Sequence, residues 1–384
     1  MKVNNKSYHT IWLNQEDPSI VQTIDQRLLP FEFSVINLKS FGDARTAIAN
    51  MVVRGAPLIG VTAAYGMYLA VLNHPSHENI SQYLNNCASV LKSARPTAIN
   101  LSYAVDKSLT AMLSKSNAPE MIKIALAVAK DMASEEVESC MLIGEYGLPF
   151  IQDLSQKKKD TTVNILTHCN AGWLACIDYG TATAPIYMAH DMGINVHVWI
   201  DETRPRNQGA RLTAWELDQH GVPHTLITDN AGGLLMQQDK VDLVIVGSDR
   251  TTLSGDVVNK IGTYQKALAA YDNNVPFYVA VPSSSIDPAL DGDSANIPIE
   301  ERSDTEVMFI EGMTDDGLQS VRICPDDTEI LNPGFDITPA RLVTGLITER
   351  GICKATREDV LRLFPEFSES YSEPLIGGEG PETS

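Results

Sequence analysis

The sequence predicts an α/β protein in which a parallel sheet fills the C-terminal part and a smaller strand-plus-helical unit precedes it. Three observations carry that expectation. From about residue 161, short apolar segments alternate with amphipathic ones. This β-α-β rhythm gives a parallel sheet with right-handed crossovers. Before it, residues 41–143 read almost entirely as helix. Finally, segments 164–172 and 242–250 each run from an apolar strand into small, reactive residues, as suits the carboxyl edge of an open sheet, where ligands bind.

Taken in order, 9–13 and 31–36 mix aromatic and β-branched residues between turn signals, so they read as strands of a small meander. Ala44, Ile48, Met51 and Val52 share one helical face. Ala63, Met67, Ala70 and Val71 repeat that spacing after Gly60, and 121–141 is another periodic run. Two interruptions, Arg54-Gly55-Ala56-Pro57 and Arg95-Pro96, set an arginine beside a helix-breaking proline. Strands are then expected at 163–168, 195–200, 224–228, 242–247 and 276–281. Their short apolar character fits a sheet covered on both faces. Helices are expected at 180–192, 209–220, 230–238 and 260–272. Gly, Pro, Gln and Lys cluster at 147–157, which places a boundary between an N-terminal domain, 1–150, and a catalytic domain, 151–367. Residues 368–384, rich in Glu, Ser, Gly and Pro, read as a mobile acidic tail.

Charge narrows the function. The 384 residues carry a net charge of -20, against any nucleic-acid or anionic-membrane surface. A few arginines focused in one cleft still suffice for an anionic small molecule. No apolar run approaches a membrane span, and Met1-Lys2-Val3 leads into no signal core, so a cytoplasmic protein is expected. The six cysteines form no Cys-x-x-Cys pair, and the eight histidines show no metal-ligand spacing. A Gly-x-Gly-x-x-Gly turn and a Gly-Lys-Ser/Thr loop are both missing, so neither a cofactor nor a metal is expected.

Cys169 sits at a strand exit among His168, Asn170 and Gly172, where cationic neighbours or helix N-termini would lower its thiol and make it a base or nucleophile. Cys176, in an apolar run, reads as a packing residue. Asp249 ends the other strand. Drawn into an apolar cleft, its carboxyl would hold a proton near neutrality and serve as an acid-base group. Asp256 competes with it as a turn residue. Arg54 beside Gly55, and Arg95 before Pro96, are the phosphate candidates, since a guanidinium fork matches phosphate oxygens and glycine lets main-chain N–H groups approach. Lys260, read at the start of a helix, is a further anion candidate. The polar loop 201–211 suits sugar hydroxyls or a lid. A thiol and a carboxylate without metal or cofactor are compatible with an isomerase.

The ordered motifs Arg54-Gly55-Ala56-Pro57, Arg95-Pro96-Thr97-Ala98-Ile99-Asn100-Leu101, Thr167-His168-Cys169-Asn170-Ala171-Gly172, Asp201-Glu202-Thr203-Arg204-Pro205 with Gln208-Gly209, and Gly255-Asp256-Val257-Val258-Asn259-Lys260 are followed by Pro282-Ser283-Ser284-Ser285, Ile297-Pro298-Ile299-Glu300-Glu301-Arg302 and Asn332-Pro333-Gly334-Phe335-Asp336. Together they resemble the S-methyl-5-thioribose-1-phosphate isomerases of methionine salvage, over about residues 8–355. The resemblance implies a homodimer, a Rossmann-like C-terminal domain and conversion of methylthioribose 1-phosphate to methylthioribulose 1-phosphate. It implies Cys169 as the catalytic cysteine and Asp249 as the proton donor. It also implies Arg54, Gly55, Ala56, Arg95, Gln208, Asn259 and Lys260 as substrate-binding residues.

Trp173, Cys176, Ser248 and Ala184-Pro185 depart from the expected pattern, which bears on the fit of the 5-substituent. The alternatives are 5-deoxyribose 1-phosphate or ribose 1,5-bisphosphate as substrate. The latter needs a second anion site, for which the sequence shows no further basic cluster. A non-catalytic subunit like those of the translation nucleotide-exchange factor is the reading from another class.

Overall fold

The computed structural model describes residues 1–4, 6–95, 99–159, 161–292 and 297–371. Pro96, Thr97 and Ala98 of the second Arg-Pro motif, and 372–384 of the expected tail, lie outside the described residues.

After a two-stranded ladder of Lys2–Val3 with Lys6–Ser7 comes an antiparallel meander of Ile11–Leu13, Val21–Ile24 and Val35–Leu38. The middle strand was not anticipated, because Val21-Gln22-Thr23-Ile24 is too short to separate from a turn by pattern. Five helices follow: Phe41–Ala49, Ala56–Leu72, Ile80–Lys92, Ile99–Leu113 and Ala118–Lys157. Ser40 starts the first with a reciprocal capping box to Asp43, and Asn79 and Asn117 cap the third and fifth through their side chains. Every residue of Ala56–Leu72 except Leu72 is buried, so this apolar helix is the axis around which its neighbours pack.

The second half is a seven-stranded sheet. Its order across the sheet is Gly351–Cys353, Gly345–Thr348, Phe277–Ala280, Leu243–Val246, Val163–Thr167, Val196–Asp201 and His224–Ile227. All pairs are parallel except Gly345–Thr348 with Gly351–Cys353. The first strand, Val163–Thr167, lies next to the fourth, Leu243–Val246, and the chain runs outward from this pair in both directions. That reversal makes their shared carboxyl end a topological switch point, where a crevice opens. The five expected strands are found within a residue or two of their places. A protruding hairpin, Phe309–Thr314 with Gly317–Arg322, and a four-stranded sheet were not foreseen.

The two parts share their packing. Val3, Ile24, Leu29 and Ile143 lie in the same apolar cluster as Ile165 and Val198 of the sheet. The boundary placed at 147–157 falls inside Ala118–Lys157, which runs on through Pro149. Gly144 and Gly147 let this helix close on Ala184–Asp191. A Cβ at Gly147 would stand 2.9 Å from Cβ of Pro185. Helix propensity alone favours Gly147→Ala by up to ~1 kcal/mol. Overpacking against the proline ring opposes it, and we expect a net loss of about 1–3 kcal/mol in urea unfolding. A gain in stability would show that the two helices are not in contact there.

Candidate active site

At the switch point, Val163–Thr167 passes into a turn in which Cys169 adopts φ 65, in the left-handed region. The turn is gripped at both ends of the residue. The Cys169 N–H donates to Thr203 Oγ1 at 2.8 Å, and the Thr213 hydroxyl donates to the Cys169 carbonyl at 2.6 Å. Fixed partners of this kind hold a strained backbone that the residue alone would not choose. Beneath it, His168 Nδ1 meets Asp201 Oδ2 at 2.8 Å, and Nε2 meets the Ile261 carbonyl at 2.8 Å. His168, Asp201 and Asp229 each bring a ligand-type atom within 4.8 Å of the others. The Lys266 ammonium stands among them, 3.2 Å from Asp201 and bonded to the Asp229 carbonyl, and supplies the positive charge of this buried cluster.

Across the switch point, Gly247 and Ser248 carry Leu243–Val246 into Asp249, whose N–H donates to the Val258 carbonyl at 3.1 Å. Asp249 thus begins a small sheet ordered Ile286–Asp287, Arg250–Thr252, Val257–Lys260 and Phe335–Thr338. Asp256 accepts from Ala340 N–H at 2.9 Å and serves as a turn residue. Lys260 corrects an expectation. It is the last residue of a strand, because Val257 and Val258 pair on both sides, and the helix starts only at Thr263 after Gly262 with φ 105. Its ammonium donates to the Gly334 carbonyl at 2.9 Å, over the Phe335 ring.

The cationic side is built on the N-terminus of Ala56–Leu72. Gly55 caps it with φ 94, and a Cβ there would lie 2.5 Å from the Ala175 carbonyl oxygen. Arg54 donates to Asn170 Oδ1, and Asn170 Nδ2 donates to Glu216 Oε1 at 3.0 Å. Glu216, fully buried, also accepts from the N–H groups of Trp173 and Leu174 and from the Tyr187 hydroxyl. Arg95 pairs with Glu300 at 3.0 Å, and Glu300 pairs with Arg302. Gln208 is buried, and its Oε1 finds no partner among the described residues.

One cavity of about 410 Å³ is lined by Arg54, Gly55, Ala56, Cys169, Asp249 and Asn259. Two neighbouring cavities continue it. On the Asp249 side, Arg95 joins an apolar wall of Ile59, Val258, Ile297, Pro298 and Phe335. On the Arg54 side, Gln208 joins Arg27, Arg206 and Arg211. Those three arginines form a basic cluster that spacing did not reveal, since they converge from 27 to 211. Each is paired, with Asp25, Glu306 and Glu311 respectively. Lys260 lines none of these cavities but acts on both Cys169 and Asp249 through its charge. Glu216 and Thr213, which hold the site from behind, were not among the expected residues, and Thr203 was expected only as part of the polar loop 201–211. Only their recurrence in polar loops and helix starts could have flagged them.

Burial pushes both reactive groups up. For Cys169 it outweighs the pull of Arg54 and Lys260, so the lowered thiol expected from sequence is corrected: desolvation of the thiolate dominates. Asp249 is raised by burial as expected, against Lys260, Arg54 and Arg95. Lys260 is pushed down by burial.

This geometry has close counterparts. The chain matches the model of the "Initiation factor 2 subunit family" over residues 52–355. It is 58% identical over 366 residues to a methylthioribose-1-phosphate isomerase of Desulfatibacillum aliphaticivorans, covering 95% of this chain and 99% of that one. A Sinorhizobium medicae protein of the same name is 55% identical over 370 residues, covering 96% and 100%. The chain belongs to the methylthioribose-1-phosphate isomerase branch of the initiation factor 2 subunit family. Within it, the solved 5-methylthioribose 1-phosphate isomerase of Pyrococcus horikoshii OT3 superposes with TM-score 0.79 at 38% identity, covering 94% of this chain and 97% of that one. A structure from A. fulgidus described as translation initiation factor eIF-2B, subunit delta, superposes with TM-score 0.77 at 36% identity, covering 94% and 100%. The family fold therefore comes with two kinds of name.

Two outcomes test this geometry. Gly55→Ala must displace main chain at Ala175, so we expect the variant to lose roughly 1–3 kcal/mol of stability in chemical denaturation. An unperturbed variant would mean the cap does not touch Ala175. Burial also raises the Glu216 carboxyl to about 7, against the groups that donate to it. The folded state then holds a proton that the unfolded chain releases. Glu216 therefore contributes stability below the ordinary carboxylate range, and this is lost as pH rises through about 7. Unfolding free energy measured across that window should fall by roughly 3 kcal/mol. Glu216→Gln should flatten the fall, and an unchanged slope would refute the assignment.

Proposed function

We propose that the protein is an aldose-ketose isomerase converting S-methyl-5-thio-α-D-ribose 1-phosphate to S-methyl-5-thio-D-ribulose 1-phosphate. Asp249 acts as its acid, Cys169 as its second catalytic group, and Arg54, Gly55, Ala56, Arg95, Gln208 and Asn259 bind the substrate, with Lys260 contributing through its charge on Cys169 and Asp249. The observation that carries this reading is that Cys169 and Asp249, 80 positions apart, line one cavity with a cationic side and an apolar side. The main-chain N–H groups at the start of Ala56–Leu72, with Arg54, suit a phosphate. The wall of Ile59, Ile297 and Phe335 suits a methylthio group better than a second phosphate. The same proposal carries a homodimer and a cytoplasmic location.

The 1-phosphate locks the sugar ring, so opening it is the first chemical problem. A protonated Asp249 gives its proton to the ring oxygen as the bond to C1 breaks. Hydrogen then moves from C2 to C1, while the C2 hydroxyl returns a proton to the Asp249 carboxylate and becomes the ketone. Burial disfavours the thiolate that would have to act as base, so transfer as a hydride within the substrate is the route we favour. Substrate deuterated at C2 should keep its label at C1. Substantial exchange with solvent would instead make Cys169 a base acting through an enediol.

Cys169→Ser and Asp249→Asn should each lower kcat by about 100-fold or more while remaining folded. Two folded variants near full activity would end the assignment. A panel varying only the 5-substituent should rank methylthio above deoxy, and deoxy above phosphate. The exchange-factor reading, favoured by the name of the A. fulgidus structure, fails if the purified protein forms ketose from methylthioribose 1-phosphate.

A further inference from the structure

A second cavity opens beside the first, bounded by the helices Ile99–Leu113 and Ala118–Lys157 and the turn Ser283–Ser285. It takes in about 1070 Å³ out to its mouth, more than twice the space of the catalytic cavity, and Pro57 lines both. Much of its wall is apolar, from Val61, Ile99, Met132, Ile286, Pro288 and Phe367. Into this wall are set polar atoms that the fold leaves unanswered. Glu136 Oε1, Asn100 Oδ1 and Ser284 Oγ are buried and make no hydrogen bond among the described residues. Glu136 is 7% exposed and Asn100 4%. Buried polar atoms are almost always paired, so three around one cavity point to a missing partner.

We propose that this cavity binds a small organic ammonium ion with an apolar body, held by the Glu136 carboxylate and the Asn100 carbonyl. The groups at hand define that chemistry. Burial, then Glu349 and Glu135, push the Glu136 carboxyl up to about 8, and Ser284 opposes the rise without a well-formed hydrogen bond. The ionised group is thus costly to hold alone, and a cation would relieve it. Of the other carboxylates on the wall, Glu135 pairs with Lys107 at 3.3 Å and Glu366 with Arg350 at 2.6 Å. Glu136 lines the cavity with no ion pair among the described residues. The cavity wall carries three carboxylates and no Lys or Arg, which disfavours an anion. An ammonium group brings the donors that Oε1 and Oδ1 need, and its body fills the apolar space. This site stands apart from the isomerase reading, because its test reads binding and not turnover.

Titration of the full-length protein with benzylammonium, followed by calorimetry and ligand-observed NMR, should give saturable binding, with benzyl alcohol of the same shape at least about tenfold weaker. Glu136→Gln should lose benzylammonium by a similar factor, while Glu135→Gln should change it little. If Glu136→Gln fails to fold, Ser284→Leu, which narrows the cavity from a half-buried position, should abolish binding in its place. No saturable binding by the parent protein, equal affinity for the alcohol, or unchanged binding by folded Glu136→Gln or Ser284→Leu would each overturn the proposal.

Discussion

The site rests on one desolvated charge cluster. Asp201 is fully buried, and His168 and Lys266 close on it from neighbouring elements with almost no exposure of their own. Removing Asp201 or Lys266 would leave the other as an uncompensated charge in the interior, which is far more costly than never having built the cluster. Asp201 ends the strand Val196–Asp201, His168 follows Val163–Thr167, and Lys266 lies on the helix Thr263–Asp272. The cluster therefore locks three elements at the carboxyl edge of the sheet. The left-handed turn of Cys169 stands directly on it, and Thr203 passes the restraint from the Asp201 carbonyl to the Cys169 N–H. The reactive sulfur is positioned by an electrostatic foundation it never touches.

The sheet was largely legible in the sequence because its strands are apolar, short and separated by helices of ordinary length. That pattern also located Cys169 and Asp249, since small and polar residues after an apolar strand are hard to explain otherwise. What escaped was whatever depends on convergence. Arg27, Arg206 and Arg211 share a cavity wall only once the meander is folded back on the loop after Val196–Asp201. Lys260 was assigned to a helix because an apolar-polar run of four residues has no decisive period. Pairing with Phe335–Thr338, which begins 75 positions downstream in sequence, settles it as strand. The direction of the Cys169 shift was misread for a related reason. Charged neighbours can be counted in a sequence, whereas the loss of water around a thiol cannot.

Burial and charge act as opposed forces throughout this cavity. Lys260 is made easier to deprotonate, while Cys169 and Asp249 are made harder, so each group is moved towards its neutral form. The charge of Arg54 opposes that trend at Cys169 and Asp249, and that of Arg95 does so at Asp249. A pocket of desolvated reactive groups with a fixed cationic side suits a reaction in which charge develops on a sugar.

The cap at Gly55 has a consequence for how this protein can vary. Its neighbour across the gap is the carbonyl of Ala175, a main-chain atom that every amino acid possesses. A clash between two side chains can be relieved by trimming either one. Here no replacement at position 175 makes room, so lineages that keep this backbone are confined to glycine at 55, whatever else drifts around it.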